Sequence, residues 1–294
     1  MAVLRIATRS SAQARTQSEH VGALLTAAHP GLAIEYVFVD TQGDINASTP
    51  LHQMGGQGVF VKEVQRAVLE GAADIAVHSA KDVPSQQAEG LVIAAFGERR
   101  TPNDALIGSR LDDLAHGATV ATGSVRRRAQ LSQLRPDLQF VDLRGNIQTR
   151  LSKVPDGGAI VMAVAALEIL GLTHNIAEVL ALDVAVPMVG QGSVATECRV
   201  DDSTTRELLS AVDHAASRRA VEAERAFLGV LGAGCSVPVA AHLSSDGVFR
   251  AFMANDDATS CVQRETDISG SDDHVAIGAE MARECTRALH SRGS

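Results

Sequence analysis

Apolar runs of strand length alternate with segments of helical spacing through roughly the first 200 residues, and this alternation restricts the chain more than any other property. A helix that returns the chain to a neighbouring parallel strand covers one face of a sheet, so the pattern calls for α/β architecture with a mostly parallel sheet. Val3 to Thr8 reads as a strand, Gln13 to Ala28 as a helix, and Ala33 to Val39 as a strand ending in the turn-rich Asp40 to Pro50. Val59 to Leu69 is helical and Asp74 to His78 a buried strand. The pattern restarts near residue 100: strands at Ala118 to Ala121, Leu138 to Leu143 and Ile160 to Ala163, with a helix at Ser124 to Leu134 and another following Ala163.

Gly97-Glu98-Arg99-Arg100-Thr101-Pro102 has the punctuation of a crossing between two domains. Val189-Gly190-Gln191-Gly192-Ser193 offers a return crossing, since glycine adopts the backbone angles a hinge needs. The expected first domain is therefore discontinuous, residues 1–96 with 190–214, and the second spans 97–189. Residues 215–294 read differently. Helical stretches at Thr205 to Ala215 and Arg218 to Leu231 precede a Gly-rich turn, strands near Val237 to Leu243, Val248 to Ala254 and Cys261 to Ile268, and one helix at about His274 to His290. Alternating strands under a single covering helix predict a small α+β domain with an antiparallel sheet.

The 26 Lys and Arg against 35 Asp and Glu leave a net charge of −9, which repels nucleic acid and anionic lipid unless bases cluster locally. With no Trp and one Tyr, the chain also lacks aromatic platforms for single-stranded bases. Met1 to Ser10 alternates polar and apolar residues, with no basic segment leading into an apolar core, and no window of 18 apolar residues occurs. A cytoplasmic protein without nucleic-acid or membrane partners is expected. Cys198, Cys235, Cys261 and Cys285 contain no CxxC, and His20, His29, His52, His116 and His214 show no ligand spacing, so neither a disulfide framework nor a metal site is expected.

Thr122 to Lys153 holds seven bases (Arg126, Arg127, Arg128, Arg135, Arg144, Arg150, Lys153) against Asp137 and Asp142. A charge run is ordinarily a solvated helix face. Here Thr122-Gly123-Ser124 ends a strand and opens a helix carrying arginines in its first turn, and Leu143-Arg144-Gly145-Asn146 repeats that geometry. Loops at the carboxyl ends of strands in open α/β sheets bind ligands, and free N–H groups at a helix start favour an anion. Guanidinium forks add bidentate grip, which leaves carboxylate and phosphate equally suited.

A second stretch, Ala72 to Pro84, is an apolar strand that releases Ser79, Lys81 and Asp82 together. Lys81 beside Asp82 is either a surface ion pair or a site in which Asp82 serves as acid, base or counter-charge while Lys81 and Ser79 hold anions. The third is Gly232-Ala233-Gly234-Cys235, where flanking glycines expose a thiol to covalent attachment or nucleophilic use.

On these motifs the chain resembles the porphobilinogen deaminase (hydroxymethylbilane synthase) family over almost its whole length. The matching blocks run in one order: Arg5 to Arg9 with Ser11, Gly55 to Glu63, Asp74 to Pro84, Thr122 to Arg127, Leu143 to Arg150, Val189 to Gly192, and Gly234-Cys235. The resemblance implies two domains like those of type II periplasmic binding proteins, plus a third carrying a dipyrromethane cofactor covalently on Cys235. It implies transferase activity: four porphobilinogen molecules are condensed head to tail with loss of ammonia, and hydrolysis releases the linear tetrapyrrole. Asp82 is then the catalytic aspartate, stabilising the cationic azafulvene-like species left by ammonia. Ser79, Lys81, Asp82, Thr122, Ser124, Arg126, Arg127, Arg144 and Arg150 become cofactor contacts, and Arg9, Ser11 and Phe60, with Arg144 and Arg150, substrate contacts. A monomer is implied. Departures are Gln53, Gln57 and Asn175 at positions where many members carry a base, Ala12-Gln13 and Thr16 at the first helix start, and Ala80 and Gly123. The lost charges keep a second reading open, a homologue that binds small anions or pyrroles as a sensor without turnover.

Overall fold

The computed structural model describes residues 3–40, 58, 61–232 and 238–292. The chain begins with β1 (Val3–Arg9), α1 (Ala12–Ala28), β2 (Ala33–Val39), α2 (Lys62–Leu69), β3 (Ile75–Ser79), a 3-10 turn at Ala80–Asp82 and β4 (Leu91–Phe96). It then crosses into β5 (Asp104–Ile107), β6 (Thr119–Ala121), α3 (Val125–Leu134), β7 (Gln139–Val141), α4 (Ile147–Leu151), β8 (Ala159–Ala163), α5 (Val164–Glu168) and β9 (Ile176–Val179). The return gives β10 (Val194–Arg199) and α6 (Ser203–Ser210). The last third is α7 (Ala215–Leu231), β11 (Val239–Leu243), β12 (Val248–Ala254), β13 (Cys261–Asp267) and α8 (His274–Arg292).

Two five-stranded sheets have the orders β2-β1-β3-β10-β4 and β7-β6-β8-β5-β9. In the first, β1 runs parallel to β2 and β3; in the second, β6 runs parallel to β7 and β8. The fourth place of each sheet is taken by a strand arriving from the other lobe, β10 in the first and β5 in the second, and each is antiparallel to both neighbours. The first lobe is thus completed by a strand that the chain adds on its return, while the second is built from one continuous stretch. The sequence reading assigned no strand at β4, β5, β9 or β10, although β4 is an unbroken apolar run, Leu91 to Phe96. Two of these carry polar residues in fully buried positions, Asp104 in β5 and Thr196 and Glu197 in β10, and a buried polar residue interrupts the apolar run by which an interior strand is recognised.

The crossings lie side by side. Gly97 N–H donates to the Val194 carbonyl (2.9 Å) and Arg100 N–H to that of Gly192 (3.0 Å). Gly192 has φ +91°, and a Cβ there would stand 2.5 Å from the Arg100 oxygen, so both the angle and the approach require glycine.

The third sheet, β11-β12-β13, is antiparallel as expected. Its core joins Val239, Ala241, Phe249 and Ala251 to Ala223, Phe227 and Leu228 of α7 and to Met281, Ala282 and Cys285 of α8. Two helices therefore cover the sheet, where the sequence suggested one, because α7 packs against the strands that follow it.

Helix α7 also ties this unit to the crossings. Glu224, fully buried, receives Arg99 Nη1 on Oε1 (2.6 Å) and Nη2 on Oε2 (3.0 Å), Gly190 N–H (2.7 Å) and Leu243 N–H (2.9 Å), with His242 Nδ1 at 3.3 Å. Arg99 and Gly190 lie on different crossings, so one carboxylate binds both to the third unit. Burial would push that carboxyl up; the Arg99 charge, with His242, outweighs it and holds the group at about 2.

Candidate active site

A cleft of about 640 Å³ opens between the carboxyl ends of the strands of the two lobes. From the first lobe it is lined by Arg9, Ser10, Ser11, Ala12, Gln13, Lys81 and Asp82. The second lobe contributes Gly123, Ser124, Arg126, Arg127, Arg144, Gly145, Asn146 and Arg150, and an apolar wall of Leu143, Met162, Leu170 and Met188. The two loops expected at strand ends, after β6 and β7, both face it.

Each loop is set by a helix cap. Ser124 Oγ accepts from Arg127 N–H (3.4 Å) at the start of α3, Asn146 Oδ1 from Thr149 N–H (2.9 Å) at α4, and Ser11 Oγ from Ala14 N–H (3.3 Å) at α1. A cap uses an oxygen lone pair and leaves the hydroxyl proton to donate. Thr122 is buried behind the wall rather than lining it; its Oγ1 accepts from Ser124 N–H (3.3 Å) and its N–H donates to the Val141 carbonyl, so it shapes the turn.

Four of the seven bases counted in the sequence, Arg126, Arg127, Arg144 and Arg150, line the cleft. Arg128 and Arg135 pair with Asp142 (3.2 Å) and Asp137 (2.8 Å), and Lys153 donates to the Arg144 carbonyl (3.2 Å); none of these three reaches the wall. Arg126 and Arg127 are buried at 3 % and 9 % exposure, and both bind Asp104, a residue that sequence reasoning missed. Arg126 Nη1 lies 2.7 Å from Oδ2, and Arg127 places Nη2 at 2.6 Å and Nε at 3.0 Å from Oδ1. Burial would raise the Asp104 carboxyl; the two guanidinium groups hold it far below the ordinary range instead. Its signal in the sequence was an acid opening a short apolar run directly after Pro102-Asn103.

Lys81 and Asp82 sit in the 3-10 turn after β3. Ala80 N–H donates to the Ser193 carbonyl (2.9 Å) of the return crossing. Arg225 of α7 donates to the carbonyls of Val83 (3.1 Å), Pro84 (2.7 Å) and Ser85 (3.2 Å), so the chain leaving Asp82 is clamped from the third unit. Burial, with Arg127 and Arg126 nearby, pushes Lys81 below the ordinary lysine range against the pull of Asp82 and Asp104. Arg150 is brought to about 10 by burial and by Arg127 and Arg144; its Nε donates to the Gly145 carbonyl (2.8 Å). These shifts mark cations crowded together in partly desolvated positions, an arrangement that a bound polyanion relieves.

Ser79 lies in an adjoining recess of about 40 Å³ with Arg9, Ser11, Gln13, Gln17 and Asp82. Its hydroxyl donates to Gln17 Oε1 (3.1 Å) and accepts from Gln13 Nε2 (3.4 Å). Gln17 was missed and Gln13 was noted only as a departure at the helix start, although the two stand one helical turn apart on α1. Phe60 and Cys235 lie outside the described residues, as do Gln53 and Gln57. Asn175 donates to the Leu172 carbonyl (3.0 Å) and does not line the cleft. Among the described residues no cluster of three or more His, Cys, Asp or Glu could hold a metal ion, and no helix is long and apolar enough to cross a membrane.

Comparison with known proteins bears on this geometry. Among solved structures the chain is similar to the methionine-binding protein MetQ (TM-score 0.44, 13 % identity, 71 % of this chain and 89 % of that one). It is also similar to immunogenic lipoprotein A of Vibrio vulnificus (TM-score 0.44, 13 % identity, 71 % and 94 %). In sequence it is 47 % identical over 256 residues to the porphobilinogen deaminase of Nitratidesulfovibrio vulgaris, covering 85 % of this chain and 81 % of the relative. Residues 4–207 match the family model described as porphobilinogen deaminase, dipyromethane cofactor binding domain, and residues 218–286 match that of the porphobilinogen deaminase C-terminal domain. With both family domains present in order, and the cationic cleft lying within the first, the chain belongs to the porphobilinogen deaminase family of transferases.

Proposed function

We propose that the cleft condenses porphobilinogen head to tail onto a dipyrromethane primer tethered to Cys235, ammonia leaving at each coupling, and then releases hydroxymethylbilane by hydrolysis. The reading is carried by the charge inventory of the cleft. Arg9, Lys81, Arg126, Arg127, Arg144 and Arg150 face it, against Asp82 on its wall and Asp104 behind, a surplus of four positive charges. A dipyrromethane built from two porphobilinogen units bears two acetate and two propionate arms. The donor set therefore fits the group in sign, with charge-assisted bonds from guanidinium and ammonium.

Lys81, Arg126, Arg127, Arg144 and Arg150 would hold the carboxylate arms, with the Ser124 hydroxyl and the start of α3 beside them. When bound, the primer supplies a nucleophilic pyrrole carbon. Asp82 accepts hydrogen bonds from pyrrole N–H groups and places a fixed negative charge where positive charge develops as ammonia departs. Arg9, Ser11 and Phe60 act on the incoming porphobilinogen; that the first two line both the cleft and the recess beside Asp82 supports this division. A tether at Cys235 keeps the chain end near Asp82 and makes each coupling locally unimolecular. Cys198 and Cys285 are buried, with thiols pushed up to about 11, and Cys261 is partly exposed, so the choice of Cys235 rests on its Gly-rich loop and on the family motif rather than on elimination.

The return of β10 to the sheet of β1–β4, and the sheet of β5–β9 built from one continuous stretch, support a division into residues 1–96 with 190–214, 97–189, and 215–294. We read the chain as a cytoplasmic monomer with no nucleic-acid or membrane partner, in keeping with its net charge of −9.

Intact mass of the folded protein tests the proposal together with a porphobilinogen turnover assay. The mass should exceed the sequence mass by two pyrrole units, Cys235→Ser should abolish the addition, and ammonia release should accompany turnover. An unmodified protein with full activity refutes the tether, and a protein that binds small anions without releasing ammonia refutes the reaction.

A further inference from the structure

The wall of the cleft that carries Arg126 and Arg127 is fastened to the crossing between the lobes by the side chain of Gln191. Gln191, 1 % exposed and part of the cleft lining, donates from Nε2 to the Pro102 carbonyl (2.6 Å) and to Asp104 Oδ1 (2.9 Å). Both partners only accept, so the amide orientation is fixed by chemistry. The main chain of Gln191 is held too: its carbonyl accepts Arg99 Nε (2.8 Å) and its N–H donates to Met188 (2.9 Å). Asp104 Oδ1 thus receives Gln191 and two nitrogens of Arg127, while Oδ2 faces Arg126.

We propose that Asp104 is a positioning residue for the reaction, fixing where the Arg126 and Arg127 guanidinium groups stand in the cleft, and that Gln191 is the strut that fixes Asp104 from the return crossing. The proposal rests on the reading of the cleft as an oligopyrrole site. Two arginines sharing one counter-charge repel each other; Arg126 Nη1 also donates to the Val186 carbonyl (2.7 Å) and Arg127 Nη1 to that of Val161 (3.1 Å), and Asp104, held in a set orientation, bonds both and so fixes their mutual spacing. Neither Asp104 nor Gln191 needs to touch a reacting atom; they act through the two guanidinium groups, which face the primer rather than the incoming porphobilinogen. Displacing these groups therefore moves the primer relative to Asp82, and the cost falls on kcat and not on KM.

The test compares the full-length wild type with Gln191→Leu, Asp104→Asn and Asp104→Glu by intact mass, melting temperature, and kcat and KM per primer-loaded molecule. Gln191→Leu is expected to fold and load, with kcat at least tenfold lower and KM for porphobilinogen within threefold. Asp104→Asn is expected to lose the mass addition, and Asp104→Glu to regain it with kcat still at least tenfold down. A purely structural role lowers the melting temperature and the loaded fraction but leaves kcat per loaded molecule unchanged. The proposal is overturned if Gln191→Leu turns over within twofold of wild type per loaded molecule, or if Asp104→Asn loads and turns over normally. Should neither of these variants fold, Asp104→Glu decides, wild-type kcat there being the overturning result. A wild type that carries no added mass defeats the underlying reading of the cleft instead, so the two failures are distinguishable.

Discussion

Gly190 lies against the peptide that joins Ala80 to Lys81, so close that a Cβ at position 190 would stand 3.0 Å from the Lys81 nitrogen. Its φ of +71° is in the left-handed region. Gly190→Ala combines a backbone cost of about 1 to 2 kcal/mol with pressure on the turn that presents Lys81 and Asp82. We expect the melting temperature to fall by roughly 2–6 °C and kcat to fall about tenfold, since small displacements of a catalytic group are costly. Thermal denaturation and steady-state kinetics check this, and an unchanged kcat would mean that the turn is not held from behind.

Asp82 is half-buried at the cleft wall, and the turn around it is fixed by Ala80, Ser193 and Arg225 rather than by its own carboxylate. Asp82→Asn should leave the melting temperature within a few degrees of wild type. It should lower kcat by about 10²–10³, the usual consequence of losing one electrostatic contact to developing charge. Turnover that persists at the wild-type rate contradicts the role given to this carboxylate.

Glu224 links acid sensitivity to the crossings. Its carboxyl is held at about 2 against an ordinary value of 4.5, despite burial, by Arg99 and His242. Because the folded value lies below the unfolded one, the stabilisation is complete above about pH 4.5 and is lost as the pH falls from there towards 2. Glu224→Gln leaves the partly buried Arg99 without its counter-charge and should cost about 3 kcal/mol at neutral pH. Denaturant midpoints of the two proteins should converge below pH 4.5; a constant difference across that range would show that Glu224 is not the titrating group.

Lys81 is depressed by burial and by neighbouring cations, so in the primer-free protein it loses its charge below the ordinary lysine range of 10.5. Loading of the apoprotein should weaken with rising pH over that interval, because a neutral amine no longer attracts carboxylate. Lys81→Arg should carry loading to higher pH, as a guanidinium keeps its proton there. Rates of mass gain measured from pH 7 to 10.5 decide the matter; identical profiles for the two proteins would remove Lys81 from the grip.

Much of this was legible in the chain. The parallel strands β1, β2, β3, β6, β7 and β8 were legible as short stretches rich in apolar residues, most of them ending in polar turn residues, and Ser124 marked the start of α3 in the manner of helix caps generally. Of the arginine cluster, Arg126, Arg127, Arg144 and Arg150 line the cleft, where the strand-end loops had put them. Hidden were the relationships that depend on distance along the chain. Asp104 meets Arg127 from 23 positions away and Gln191 from 87, and no local period encodes such a meeting. The same holds for β10, whose partners β3 and β4 lie about 100 or more positions earlier in the chain.

The paired crossings have a mechanical consequence. A lobe joined by one strap could swivel about it, whereas two straps bonded to each other at Gly97–Val194 and Arg100–Gly192 behave as a stiff spine. Twisting one half against the other would shear those bonds; opening and shutting like the boards of a book would not. The fold therefore channels thermal motion into a single rocking coordinate that widens the cleft while keeping opposite walls in register.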